Sequence, residues 1–433
     1  MLLAWLYYAV YGHPRPGGLN GDVGHGGGHH DDDHRQCNRD HFIDWNGPEQ
    51  FETGAKNIDF KFGKGNMATN VAVLTFDEID YPIIVLQAKV TPTSPHDDDS
   101  GDDDSDKELK SEEMAVLDAN TKEHHHHGLH VHVLEKDDNF AITIWADEYV
   151  SHGHHHHGHR KFCADIEASI ILPKTFTKFG RLSIVGTLMN VDLRDLSEIA
   201  FEKLNITTTV GNVIFNDEHS DIAGISNVLA RDIPVRVTDG AVKLPSVTVP
   251  EGSPVKVYIA TTAGSIDLNT VLPQIPAGTE DQKHEISLTT VMGDINVGVQ
   301  SAKVGESRES TSFVPGEIHL STSSDFGKTV TSVDLADHQI LYLHSKGVTG
   351  HIGSTVSDKF LGKIRLLTEI GSVNVIEAEN SASEIEYEKH TDQIKSGRKQ
   401  LKKNDGDKEE KGDEEEGEII LRSSYGRSEL TFE

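Results

Sequence analysis

Two stretches decide the fold: Tyr258–Leu268, YIATTAGSIDL, and Ile286–Val297, ISLTTVMGDINV. Each reads as an apolar-x-apolar pair, a Thr or Ser step, a Gly, and a second apolar-x-apolar pair. Strict alternation of this kind belongs to strands with one buried face, and a Gly between two such runs supplies the backbone freedom to turn a corner. The same unit recurs at Leu204, Ile206, Thr207 to Thr209, Gly211, Val213 and Phe215, and at Val235, Val237, Thr238, Gly240, Val242 and Leu244. A further copy runs through Ile364, Leu366, Thr368, Gly371, Val373 and Val375, and weaker ones centre on Asn190, Gly327, Gly350 and Gly426.

That makes nine copies, with a shortest spacing of 21 residues and longer gaps filled by loop-like sequence. Stacked units of a repeat protein behave in this way, because insertions leave the stack outward while its strands keep their length. The expectation is therefore an all-β chain whose main part is an elongated β-solenoid, β-helix-like, of about nine coils. A sandwich of hairpins is the competing reading, but the hairpin dipeptides Asn-Gly and Asp-Gly are nearly absent from this half, Asp239-Gly240 and, within the charged insertion, Asp405-Gly406 excepted.

Three regions are expected. Residues 1–41 form an apolar head followed by a Gly/His/Asp segment; residues 42–180 form a smaller β region with acidic and His-rich loops; residues 181–433 form the repeat domain, with a disordered charged insertion at 379–418. Strand alternation in the middle region runs through Ile58, Phe60 and Phe62, through Val71 and Val73, and through Leu129, Val131 and Val133. The acidic run from Ser94 to Glu113, the His clusters and the 379–418 stretch lack the apolar content of a core and read as solvated loops. Met1 to Tyr11 is apolar and uncharged, too short for the roughly 20 residues of a spanning helix. It fits a signal-peptide core or the rim of a membrane anchor at the N-terminus, where Trp and Tyr collect.

The 433 residues are 36% hydrophobic and 6% aromatic, which suits a thin core of Val, Ile, Leu and Thr. A net charge of −31 repels nucleic acid phosphates, so no nucleic-acid partner is expected. The 26 histidines are the strongest chemical signal. His124, His125, His126, His127, His130 and His132 form one cluster, and His154, His155, His156, His157 and His159, with His152 before them, form another. Such runs can offer two to four imidazoles to Zn, Cu or Ni. The competing reading is a hydrophilic loop with no required cofactor. His130 and His132 alternate with Leu129, Val131 and Val133 and belong on the solvent side of one strand. The acidic run Asp97 to Asp106 lacks the ligand spacing of a helix-loop-helix calcium site and reads as a linker. Cys37 and Cys163, the two cysteines of the chain, are candidates for one disulfide. Asn205 heads the one glycosylation sequon, Asn205-Ile206-Thr207, on the outward side of its strand.

The Thr-Thr-x-Gly-x-Ile-x-Val units, Thr261–Leu268 and Thr289–Val297, resemble the putative-adhesin domain of unknown function in bacterial and fungal surface proteins. Phe42–Phe62, FIDWNGPEQFETGAKNIDFKF, and the Cys163 strand ending in Leu172-Pro173 are similar to the opening of fungal members. The resemblance implies an all-β, non-catalytic, adhesin-like or structural protein at the cell surface or secreted, with a glycan or protein as its surface ligand, and often with a membrane-spanning segment ahead of the domain. An extracellular metal-binding protein and a degenerate carbohydrate-active β-helix enzyme are the alternatives. The enzyme needs paired carboxylates on neighbouring coils. Asp267 and Asp294 are the comparable acids, and they fall at different offsets from their glycines.

Overall fold

The computed structural model describes residues 42–91 except 48, 121–126, 128–147, 149–150, 160–194, 196, 199–215, 228–248, 254–276, 282–302, 313–379, 381–402 and 416–433. Among these the chain is all-β and has no helix. Alternation works as the side-chain period requires. In Lys256–Ala263, Val257, Ile259 and Thr261 are buried while Tyr258, Ala260 and Thr262 are exposed; after the corner, Ile266, Leu268, Thr270 and Leu272 are buried. Gly264 makes that corner at φ +154°, and a Cβ there would lie 1.9 Å from the Gly240 carbonyl oxygen, so only Gly allows the neighbouring backbone this close.

Two parallel, in-register ladders meet at these corners. On the first, the buried positions Ile142, Phe60, Ile184, Ile206, Val235, Ile259, Leu288, Thr322, Ser345, Leu421 and Leu366 follow one another through successive strand pairs. On the second, Val71, Val191, Val213, Val242, Ile266, Ile295, Thr329, Ile352, Ser428 and Val373 do the same. The core is the space between these columns, and most of its side chains are aliphatic.

Three expectations need correction: the boundary at residue 181, the disorder of 379–418 and the loop at the first His cluster. Residue 181 is not a boundary: the strand Lys178–Leu193 crosses it and pairs with Asn57–Phe62 and Asn66–Phe76, so both regions lie in one compact unit, Cys37–Glu433. The Gly marker is missing there because Met189 stands level with Gly211, one residue before Asn190, so the first rungs read as a separate region. The strand order also departs from chain order. Gly417–Phe432 lies between Leu341–Val356 and Gly362–Ile376, parallel to both. The insertion 379–418 is not loop throughout: Ser383–His390 and Ile394–Leu401 form a hairpin whose second strand pairs antiparallel with Gly362–Leu367. Backbone pairing along that edge holds the charged residues in place, with Ile385 and Tyr387 partly buried against the core. Lastly, Thr121–His126 is a strand paired with Leu129–Leu134. No helix among the described residues is long and apolar enough to cross a membrane, and Met1–Tyr11 lies outside them.

Candidate functional site

The histidine face is built on the hairpin of Leu129–Lys136 and Asn139–Ala146, turned at Asp137, whose φ is +53°. Val131, Val133, Ile142 and Ile144 point into the core, so His130, His132 and Trp145 lie on the opposite side, half-buried. His130 stacks on Trp145 with ring centroids 5.3 Å apart and 7° between planes, and His132 lies 6.5 Å from the same ring. His130 Nε2 is 3.1 Å from Asp147 Oδ1. The carboxylate fixes the orientation of the imidazole ring. The backbone register of the neighbouring strand puts His125 opposite His130, His124 opposite Val131 and His126 opposite Leu129. His127, His154 to His157 and His159 lie outside the described residues. Among the described residues, no three His, Cys, Asp or Glu side chains gather closely enough to hold a metal ion.

Cys163 is disulfide-bonded, and Cys37 lies outside the described residues. Asn205 is half-buried between inward Leu204 and Ile206, and its amide donates to Ser183 Oγ at 3.0 Å. Asp267 accepts a hydrogen bond from Asn296 at 3.1 Å, and Asp294 accepts one from the Lys328 backbone N–H at 2.7 Å. The two acids therefore sit in different rows.

A second cluster, missed by sequence reasoning, surrounds Lys399. Its side chain is 1% exposed and its ammonium donates to Asp358 Oδ1 at 2.7 Å, to the Asp358 carbonyl at 2.6 Å and to Ser383 Oγ. Ser381 Oγ donates to Asp358 Oδ2 at 2.6 Å. The ammonium also lies 4.8 Å from the centre of the Phe432 ring, which in turn stacks on Phe360. Burial pushes the Asp358 carboxyl upward, but the hydrogen bonds from Lys399 and Ser381, with the Lys399 charge, outweigh it and hold the group below the usual carboxylate range. A buried lysine beside a serine invites comparison with nucleophilic dyads, which need the amine free to take the serine proton. Here its donors are committed to Asp358 and Ser383, so the arrangement is a clamp between the hairpin and Phe432. A shallow cavity of about 210 Å³ lies beside it, lined by Asp358, Lys359, Leu361, Ala382, Ser383 and Leu401. The signal in the sequence was faint: Ser383, Ile385 and Tyr387 alternate within an otherwise charged stretch.

A third feature is a row of exposed side chains at the corner itself. Register places Ala263, Met292, Phe326, Thr349, Tyr425 and Ile370 side by side, one per rung. Met292, Phe326, Tyr425 and Ile370 are each more than half exposed.

No family model matches the chain, and no curated protein matches it. Among solved structures, the crystal structure of a "putative cell adhesion protein" from Clostridium sporogenes is similar over 90% of this chain and 100% of that one, at 8% identity and a TM-score of 0.16.

Proposed function

We propose that this chain is a non-catalytic, adhesin-like β-solenoid module, displayed at the cell surface or secreted, which binds a glycan or protein ligand along one corner of its coils. The observation that carries this reading is the exposed row Met292, Phe326, Tyr425 and Ile370. Exposed apolar side chains scattered singly need no explanation, but two aligned pairs, Met292–Phe326 and Tyr425–Ile370, separated only by Thr349, mark a contact surface. Stacked coils set the row's members at the strand spacing of about 4.8 Å, so a repeating ligand can meet several of them at once. The disulfide at Cys163 supports an oxidising, extracytoplasmic location. The test is an array of immobilised glycans and extracellular proteins probed with the intact protein and with Phe326→Ser/Tyr425→Ser. Binding by the parent that weakens at least tenfold in the variant, with the melting temperature unchanged, supports the reading. Binding that the variant retains, or cleavage of an arrayed glycan, overturns it.

The second reading, extracellular metal capture, is favoured by one observation: His130 is held by Asp147 beside Trp145, next to a strand carrying three more histidines in its sequence. Calorimetry with Zn, Cu or Ni salts on the intact protein tests it, with His124 to His127 or His154 to His157 changed to Ser. Weaker binding by each variant than by the parent supports cooperation between the clusters. Equal binding rejects it.

A further inference from the structure

We propose that the slot between Leu341–Val356 and Gly362–Ile376 is a strand-acceptor site, and that the partner it takes is the strand Gly417–Phe432 of a second copy of this chain, exchanged for its own. The argument begins with connectivity. The strand Gly417–Phe432 is synthesised after both of its neighbours, yet it lies between them. The two neighbours also match each other. Leu343 and Ile364 both pair with Ile419, and Gly350 and Gly371 both pair with Gly426. Their mutual offset of 21 residues equals the shortest repeat spacing in the chain. Leu341–Val356 and Gly362–Ile376 can therefore close directly on one another before the later strand arrives, or after it leaves.

The inserted strand is also poorly satisfied where it sits. The hydroxyls of Ser423 and Ser428 are buried without a hydrogen-bond partner, and so is that of Ser354 on the acceptor side. A buried hydroxyl without a partner has given up its hydration for nothing in return, which favours withdrawing the strand. The clamp opposes withdrawal, because Lys399 lies over Phe432 and Phe360 stacks against it. Fifteen residues separate Leu401 from Gly417. Fully extended they span about 50 Å, enough to carry the strand to a neighbouring molecule.

The slot selects its occupant by shape. A Cβ at position 426 would lie 1.8 Å from the Gly350 carbonyl oxygen, so the incoming strand must carry Gly there, with apolar residues at the alternate positions of Ile419, Leu421, Leu430 and Phe432. A second copy of this chain meets every one of these requirements. Reciprocal exchange gives a closed dimer, and one-way exchange gives an open chain of copies.

Thr355 and Thr431 are register partners on the two strands and suit an engineered disulfide. A full-length Thr355→Cys/Thr431→Cys protein should link within one molecule under mild oxidation. Mass-labelled Thr355→Cys and Thr431→Cys copies, mixed and oxidised, should form links between molecules, at least tenfold faster when both carry Lys399→Met. Failure of the mixed copies to link, with and without Lys399→Met, while the double variant links within itself, overturns the proposal. Links between two Thr355→Cys copies as abundant as the mixed ones mean random collision and overturn it too. A double variant that does not link removes the strand adjacency on which it stands.

Discussion

Replacing Gly293 with Ala tests the corner packing at a single atom. Gly293 has φ +151°, and an added Cβ would lie 2.1 Å from the Gly264 carbonyl oxygen on the preceding rung. Holding a residue with a side chain in this region costs about 1–3 kcal/mol. The carbonyl must also retreat by nearly an ångström. It is flanked by the rung-to-rung bonds Gly264 N–H to Met292 O and Ile266 N–H to Asp294 O, both at 2.8 Å, and weakening them costs about 1 kcal/mol each. The expected loss is about 3–5 kcal/mol in a denaturant melt followed by circular dichroism. Gly298→Ala is the reference. Gly298 lies inside Ile295–Ser301 without positive φ, and its Cβ would meet only the side chain of Asn269, which can swing aside. That change should cost less than about 1 kcal/mol, since Ala also restricts the unfolded chain. If the two variants melt within about 1 kcal/mol of each other, the close approach of backbones at the corner is wrong.

Ile295 is fully buried between Ile266 and Thr329, so Ile295→Asp should cost several kcal/mol, whereas the exposed Asn296→Ser should cost little; equal drops in melting temperature would reverse the assigned faces. Asn296→Asp should fall between them and worsen at low salt, because Asn296 donates to Asp267 and the change sets two carboxylates together. Asp358 titrates lower folded than unfolded, so its stabilisation is complete above the unfolded carboxylate value, near pH 4, and is lost as pH falls through the depressed one. Asp358→Asn should flatten that acid limb of a stability-versus-pH curve, and an unchanged limb would remove the clamp from the account. A non-reducing peptide map should recover Cys37 linked to Cys163, and quantitative alkylation of both thiols in the native protein would falsify the pairing.

How legible this architecture was depended on what each element uses to hold itself. Leu204 and Ile206, or Ile295 and Val297, are buried as their alternation demands, and the glycines at 211, 240, 264, 293, 350, 371 and 426 all stand at positive φ. The exchange in strand order was not legible. Leu343 to Ile364 fits the core as well as Leu343 to Ile419 does, so apolar patterning cannot tell which strand comes next. The Ser383–Leu401 hairpin was hidden for the opposite reason. It is held by backbone pairing, one buried ammonium and two partly buried apolar side chains packed against the core, Ile385 and Tyr387, which the surrounding charges outnumber. Leu129, Val131 and Val133 placed His130 and His132 outward, but the stacking on Trp145 depends on a cross-strand neighbour that spacing along one strand does not specify.

The ladders also determine how the protein responds to tension. A pull along the direction of the ladder hydrogen bonds loads the rungs in series, so the weakest junction yields first while the others hold. Val213–Phe215 is that junction on the second ladder: three residues pair with Lys178–Leu193 and two with Val242–Thr248, where other rungs pair along five or more. Under such a load the second ladder would open there first, while Ala200–Val210, paired on both sides in the first ladder, still carries the force across that rung.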